Sequence, residues 1–575
     1  MKKVKNLTQE SFLKLFFLFV SLCFLVAAFI MPDRSDMFHD LWDIMRYPCK
    51  ISTNYFAYGF AGTFLNMGLV GLICTALTCL PGSKPNQVTT LGVLLTIGFC
   101  SWGINPLNMI PTILGVMLYA LVKKEKLGAV SNAMLYSTGI APLISELLFR
   151  YPGNTYLGFN GLGLGLALGV GLIIGFFLPA GLGHAPNIHK GYDHYSAAVP
   201  IGMTAFFLRA VLYNVMLGTT PAKMNLATWA APNAEFFWGC NIFCIALFGL
   251  CILFALLMGC KVKDYWQLLK DSGHGVCFSA KYGIPAFLMN VGVFGLMIVG
   301  YFNLAAYLDG GAERMSTVWT GMTFGIVFCM LATCNSGSHP GNVLPIMIGY
   351  IVTSYLFGWI AGLLGVENYS LTIANQSILI GLCYANGLSP ISGTYGFGYG
   401  MLAGGLHYLL VTAVPDMHGG FCLYNGGFTA ALICLTMPSA LLDIGLWMSV
   451  FATLGMLVCH GMNMDKLLEL IEKGEKFDVV ILDPPAYGRG ANGEKWVLEE
   501  NIGEMLECCA ELLDREHGFL VLNLYSMGLS ALLSRTALRQ AFGETGEEQM
   551  GELYFNDSTG KALPLGTFCR FTRMK

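Results

Sequence analysis

The stretch GINPLNMIPTILG, Gly103 to Gly115, returns later in the chain as GSHPGNVLPIMIG, Gly337 to Gly349. Both read G-x-x-P-x-N-x-x-P-x-x-x-G. Five fixed positions in thirteen, two of them proline, exceed what an apolar composition yields by coincidence. Three weaker echoes keep the same order. NMGLVGLI from Asn66 pairs with NVGVFGLM from Asn290, TGIAPLIS from Thr138 with NGLSPISG from Asn386, and PNIHKGYDHY from Pro186 with PDMHGGFCLY from Pro415. The chain therefore reads as two copies of a unit of roughly six spans.

Around this duplication the composition is that of a protein dissolved in lipid. Of 575 residues, 55% are hydrophobic and only 12% charged, with a mean hydropathy of +0.61. Soluble domains carry about 25% charged residues. The net charge of -3 gives no signal for a nucleic-acid or acidic partner. The 19 cysteines include no C-x-x-C pair and sit mostly in apolar runs, as small buried side chains do.

Apolar runs long enough to cross the hydrocarbon core, about 20 residues each, recur from Leu15 to Val414. Val88 to Val122 and Val318 to Leu344 each contain a Gly/Pro break, so each is a tight hairpin or a discontinuous helix. A last run, Gly426 to Cys459, is interrupted at Pro438 and Asp443 and crosses once or twice. Lys2, Lys3 and Lys5 precede the first run, which is too long for a signal-peptide core and predicts an uncleaved helix. With a cytoplasmic N-terminus, Lys84, Lys123, Lys124, Lys126, Lys190, Lys261, Lys263, Lys270 and Lys281 fall inside. Arg34, Arg46, Lys50, Arg150, Lys223 and Arg314 then fall outside, as the positive-inside rule expects for a bacterial cytoplasmic membrane.

The expected fold is an all-α polytopic membrane protein of about 12–15 transmembrane helices in two repeated units. The expected divisions are an anchor and connecting segment over 1–54, the first repeat over 55–235, a linker helix and loop over 236–283, the second repeat over 284–460, and a tail over 461–575. One linker helix, Phe236 to Met258, separates the copies, so the second enters the membrane in the opposite orientation.

Two readings of the duplicated motif stand side by side. Proline inside an apolar stretch frees carbonyls that need partners. In the first reading those carbonyls, with Asn105, Asn108, His339 and Asn342, bind a small polar solute or ion near the midplane. In the second the motif is a tight turn, glycine allowing close approach and asparagine capping. Glu146 and Arg209 lie inside apolar runs, where ionisable groups are costly. They are expected to pair with each other, Glu146 to carry a coupling proton, or either to reach an interface. His184, His189, Asp193 and His194 crowd one loop, but their spacing matches no standard ligand pattern and no metal is expected. The run GLGLGLALGVGLIIG from Gly161 lacks the strand and acidic residue of a dinucleotide loop and reads as close helix packing.

Together these segments resemble an uncharacterised family of bacterial multi-spanning membrane proteins, domain of unknown function 1576, over about residues 12–462. The resemblance implies a membrane location and a duplicated unit, and no chemistry.

From Met464 the charge density rises and helix and strand patterns alternate, as in a small α/β Rossmann-like domain. FDVVILDPPAYGRG resembles the fourth motif of class I S-adenosylmethionine-dependent methyltransferases, especially those similar to RNA methyltransferases. The resemblance implies that Asp483, Pro484, Pro485 and Tyr487 wall the pocket for a target base. No strand with a glycine-rich turn precedes Met464, so the cofactor has no cradle. The tail is expected to be inactive, binding S-adenosylmethionine only if another chain completes it. The membrane part needs no cofactor. Its expected partners are the bilayer and a small polar solute or ion, for a permease. A membrane-tethered methyltransferase and a non-transporting scaffold are the alternatives.

Overall fold

The computed structural model describes residues 8–48, 54–153, 155–221, 234–309, 318–366, 369–442, 464–484, 487–489, 495–524, 530–543, 546–556 and 561–573. The chain divides into two compact units, residues 1–444 and 445–575. The tail boundary expected at 461 lies outside the described residues.

The first unit is helical. It begins with α1 (Gln9–Ile30), the amphipathic α2 (Met37–Arg46) and α3 (Phe60–Thr78). Next come α4 (Gln87–Phe99), α5 (Ile110–Lys123), α6 (Ser131–Ser137), α7 (Ala141–Phe149), α8 (Gly161–His189) and α9 (Ala198–Arg209). After α10 (Ala234–Leu257) come α11 (Gly283–Asp309), α12 (Gly321–Leu331) and α13 (Pro340–Leu363). The unit closes with α14 (Gln376–Ala385), α15 (Ser389–Tyr395), α16 (Phe397–Val411) and α17 (Asn425–Leu442). Among the described residues, eight helical stretches are long and apolar enough to cross a membrane, and five shorter apolar helices accompany them. The last apolar run is represented by α17, and its remainder, residues 443–459, lies outside the described residues.

The first Gly/Pro break is a hairpin. α4 leaves a loop whose Pro81 carbonyl accepts from the amide of Gly128, just past α5, so both ends of the α4–α5 segment lie together. α4 starts on a reciprocal cap in which Asn86 N donates to Thr89 Oγ1 and Thr89 N to Asn86 Oδ1. α12, which leads into the second break, starts on the same device made by Thr320 and Thr323.

The carbonyls released at each break find a buried asparagine. Asn66 Nδ2 on α3 donates to Cys100 O at 2.7 Å and Ile104 O at 2.8 Å. Asn290 Nδ2 on α11 donates to Cys334 O at 3.0 Å and Ser338 O at 2.9 Å. Water cannot replace these donors in lipid, and each orphaned buried acceptor costs about 1–3 kcal/mol. Asn66→Leu and Asn290→Leu should therefore each destabilise the folded protein by about 2–5 kcal/mol, and by similar amounts. Unfolding of the two variants by denaturing detergent against a mild-detergent reference measures this, and a loss confined to one of them would contradict the shared role.

Two further helices break in the same way. Between α6 and α7 the chain tightens into a 3-10 turn at Thr138–Ile140, with Pro142 in the next helical turn. Between α14 and α15 it does so at Asn386–Leu388, ahead of Pro390. Proline fits the first turn of a helix, where its missing N–H bonds nothing.

α4 and α12 cross each other in the core. Asn335 Nδ2 donates to Thr90 Oγ1 and Ser336 Oγ to Gln87 O, both near the start of α4, while Gly325 near the start of α12 meets Gly98 near the end of α4. The two helices thus run antiparallel. Midway, Cys329 Sγ points at Leu95 O at 3.7 Å.

The second unit is a small mixed α/β domain. Four strands stand in the order β1 (Val479–Leu482), β4 (Phe519–Leu524), β6 (Ala562–Thr572), β5 (Glu547–Asn556), and β2 (Tyr487–Arg489) pairs with β3 (Lys495–Val497) as a separate ribbon. β1 and β4 are parallel and joined through helix α19 (Leu498–Leu512), which comes after α18 (Met464–Glu472), as the alternating pattern predicts. The remaining pairs are antiparallel, so only part of the sheet has crossover topology. Leu506, Leu513, Leu520, Leu522 and Phe571, with helix α20 (Ala531–Phe542), form its core.

Candidate functional site

The residues of the duplicated motif close the turn, or tip, at each Gly/Pro break. In the first tip Asn108 Oδ1 accepts from Asn105 N at 2.9 Å, and Asn108 Nδ2 donates to Gly103 O and to Ser145 Oγ, both at 3.0 Å. Asn105 Oδ1 accepts from the amides of Leu107 and Asn108, and its Nδ2 reaches Ile44 O on α2. In the second tip Asn342 Oδ1 accepts from His339 N at 3.0 Å and Nδ2 donates to Gly337 O at 2.9 Å. His339 Nδ1 accepts from Gly341 N, and its Nε2 meets Asp271 O at 2.9 Å. All four side chains are buried. The geometry is that of the capped turn, and these side chains are engaged by protein groups.

The two tips lie at opposite ends of the bundle. The first touches Ile44, beyond the end of α1. At the other end of α1, Gln9 Nε2 donates to Ser279 Oγ, and Ser279 N donates to Asn335 Oδ1 at the second tip. Asn105, Asn108 and Glu146 are thus brought together through Ser145, while His339 and Asn342 sit elsewhere. The pairing expected between Glu146 and Arg209 is not formed. Glu146 Oε1 instead accepts from Arg150 Nε at 2.9 Å and Nη2 at 2.7 Å, four residues on and just past the end of α7, and from Tyr213 OH at 2.9 Å. An i, i+4 partner satisfies a buried carboxylate without bringing two helices into register.

What does join the two halves is a pair of reciprocal insertions. The segment after α8 presses onto the break between α14 and α15: His194 N donates to Gly387 O at 3.1 Å, and Tyr195 packs on Gly387. The segment after α16 presses onto the break between α6 and α7: Leu423 N donates to Gly139 O at 2.8 Å, and Tyr424 packs on Gly139. A Cβ on Gly387 would lie 2.5 Å from the Tyr195 ring and one on Gly139 2.4 Å from the Tyr424 ring, so only glycine fits at either break. The Tyr195 hydroxyl faces three acceptors within 3.1 Å, Cys329 O, Cys383 O and Asn386 Oδ1, and donates to one at a time. Behind these tyrosines His189 Nε2 meets Ser196 Oγ at 2.8 Å, and His418 Nδ1 meets Asn425 Oδ1 at 2.8 Å. His194 Nε2 meets Ser389 Oγ at 3.2 Å. The Tyr195 and Tyr424 echo in the sequence thus marks the interlock; the sequence offers no sign that each tyrosine packs onto the other half of the unit.

Asp271, outside the spanning helices, braces the second tip. Its Oδ2 accepts from Lys281 Nζ and Tyr282 OH, each at 2.6 Å, and its Oδ1 from Gly273 N at 2.9 Å. Burial alone would raise its pKa, but the Lys281, Tyr282 and Gly273 hydrogen bonds outweigh it and hold the carboxyl below the usual range. A depressed folded pKa means stability present above the unfolded value, about 3.9, and lost as pH falls through the folded value. Because Lys281 is half exposed and screened, the contribution should be about 0.5–1 kcal/mol. Asp271→Asn should lower the melting temperature at pH 7, and the loss should shrink as the pH is taken below about 3.9; a loss that does not shrink with falling pH would contradict the charge-based account.

In the tail, Asp483 and Pro484 come directly after β1 and Tyr487 opens β2, while Pro485 lies outside the described residues.

A family described as a protein of unknown function, DUF1576, matches residues 33–214 and 259–443. No curated protein matches the chain. Among solved structures, a SAM-dependent methyltransferase from Agrobacterium tumefaciens is similar at 29% identity and a TM-score of 0.18. The likeness covers 19% of this chain, which spans 37% of that protein's length. Two matched segments that take in both Gly/Pro breaks, both broken helices and the interlock cover well over half of the chain, and the protein belongs to the DUF1576 family.

Proposed function

We propose that the membrane unit is a permease for a small solute, built from two copies of one unit inserted with opposite orientation. The observation that carries this reading is the exchange of plugs, His194–Tyr195 onto Gly387 and Leu423–Tyr424 onto Gly139. Two further observations support it: tips closed by the same hydrogen bonds at opposite ends, and the antiparallel crossing of α4 with α12 at Leu95 and Cys329. An axis through that crossing, in the membrane plane, relates each of these features to its counterpart. Secondary transporters use such inverted repeats, with broken helices at the site and one unit rocking against the other. Withdrawal of one plug bares the break and the freed carbonyls on one face while the other plug keeps its face sealed. A solute role for Asn105, Asn108, His339, Asn342, Glu146 and Arg209 belongs to such an opened state, in which the tips unlock. The N-terminus is then cytoplasmic, by the positive-inside count.

The reading is tested by plug accessibility and by current. Single cysteines at Ser196 and Asn425, in a background stripped of reactive thiols, should be labelled from opposite faces of the membrane by an impermeant maleimide. Proteoliposomes on a solid-supported membrane should give transient currents with at least one of phosphate, sulfate, short carboxylates or amino acids. Labelling of both sites from one face would refute the inversion. Silence across that panel with correct labelling would favour the scaffold.

The tail is assigned no activity of its own. A methyltransferase needs the cofactor held with its methyl group in line with the nucleophile, and the glycine-rich turn that does this is absent from the sequence. The full chain in detergent should show no calorimetric binding of S-adenosylmethionine; micromolar binding would restore the methyltransferase alternative.

A further inference from the structure

We propose that the cavity beside the first hairpin tip is a binding site for a small oxyanion, phosphate or carboxylate. The cavity measures 390 Å³ and is lined by Asp43, Arg46, Tyr47, Tyr58, Arg150 and Tyr156, with Pro48 at its edge. That volume falls in the range of about 300–1,000 Å³ typical of small-ligand sites. It would hold about a dozen waters, at about 30 Å³ each, or one small acid with part of its hydration shell.

Two guanidinium groups line it from different elements, Arg46 at the end of α2 and Arg150 just past α7. The planar fork of arginine matches two oxygens of a carboxylate or phosphate, which a lysine does not. Arg150 is buried and already oriented: Glu146 Oε1 takes its Nε and Nη2, leaving the other terminal nitrogen, Nη1, as the donor available to a ligand. Arg46 is held by Asp43 Oδ1 at 2.5 Å and by the Trp42 ring 5.6 Å from its Cζ. Its Nε is buried and has no hydrogen-bond acceptor among the described residues. A desolvated charged donor without an acceptor is costly, and an anion in the cavity removes that cost.

The only carboxylate lining the cavity among the described residues, Asp43, is committed to Arg46 on one oxygen and has His39 Nδ1 at 3.6 Å from the other. Fixed charge is therefore partly balanced before the ligand arrives, and binding is carried by oriented donors more than by net charge. Through Asn105 and Ile44 the same α2 segment touches the first tip, so an occupant would brace the hairpin. The site requires nothing of the transport reading: an oxyanion can bind here whether or not the plugs move.

The test uses the full chain purified in a nonionic detergent, with chloride as the background salt. Titration calorimetry with sodium phosphate and, separately, sodium acetate should give saturable binding of at least one of them. Arg46→Gln, at a half-exposed side chain, should weaken it at least tenfold, while Arg46→Lys keeps part of it. A repeat in nanodiscs separates the sources of the anion. Suppression of phosphate binding by phosphatidylglycerol, but not by phosphatidylcholine, identifies a lipid headgroup as the occupant; equal binding in both identifies a free solute. No saturable heat with either salt in detergent or in phosphatidylcholine nanodiscs would overturn the proposal, as would unchanged affinity in a well-folded Arg46→Gln protein.

Discussion

Glu146→Gln should destabilise the membrane unit by about 3–5 kcal/mol, the cost of leaving a buried charge without its partner. The Glu146 side chain is 1% exposed and that of Arg150 7%, so the carboxylate is sealed from water and the guanidinium reaches only the cavity beside it. One carboxylate oxygen takes two guanidinium N–H groups and the Tyr213 hydroxyl, and a neutral amide offers a weaker acceptor to all three. The double variant Glu146→Leu with Arg150→Leu should recover part of the loss, because it removes both charges of the pair and leaves the neutral Tyr213 hydroxyl to find another acceptor. Tyr213→Phe alone should cost only about 1 kcal/mol. The measurement is unfolding in mixed detergent micelles for the four proteins. If Glu146→Gln lost less than about 1 kcal/mol, Arg150 would have to reach water or another anion, and the ion pair would not anchor α7.

That pair also shows where the sequence is readable and where it is not. Glu146 stands out because a carboxylate in an apolar run must be paired, and the inference that it has a partner holds. The sequence points to Arg209 on another helix, because Arg150 comes after the last apolar residue of its run and reads as a loop cation. Whether the turn carrying Arg150 is buried depends on its tertiary neighbours, and hydropathy cannot report that. The Gly/Pro breaks are legible for the converse reason, since proline without an N–H forces an irregular backbone wherever it falls. The partners of the freed carbonyls are not legible. Asn66 and Asn290 lie on preceding helices, and their role emerges only when α3 and α11 pack against the tips. In the tail, β1 is legible as an apolar β-branched run and β4 as a short apolar run, whereas β6, over ALPLGTFCRFT, is disguised by its proline and glycine.

Gly325→Leu should be still more damaging, since at the α4–α12 crossing the collision is with backbone. A Cβ on Gly325 would sit 2.1 Å from Gly98 O and 2.2 Å from Ser101 Oγ, and one on Gly98 would sit 2.5 Å from Gly325 O. Neither helix can yield alone: α12 is buried along its whole length, as is α4 after its first two residues. Small residues let helix backbones approach closely in membranes, and the dispersion gained there is lost if the helices separate. Even Gly325→Ala should cost about 1–3 kcal/mol, and leucine more, with loss of monodisperse protein on size exclusion. Gly300→Ala and Gly362→Ala, where an added Cβ meets nothing within 4 Å, serve as controls and should be neutral or stabilising by up to about 1 kcal/mol. Because the crossing joins the two halves, the damage should exceed that of a collision inside one half: Gly92→Ala, whose Cβ would meet only the Leu135 and Tyr136 side chains at 3.1 Å or more, should cost less than Gly325→Ala. Equal melting temperatures for Gly325→Ala and Gly300→Ala would show that α4 and α12 do not meet in the folded protein, and the axis through Leu95 and Cys329 would fall with them.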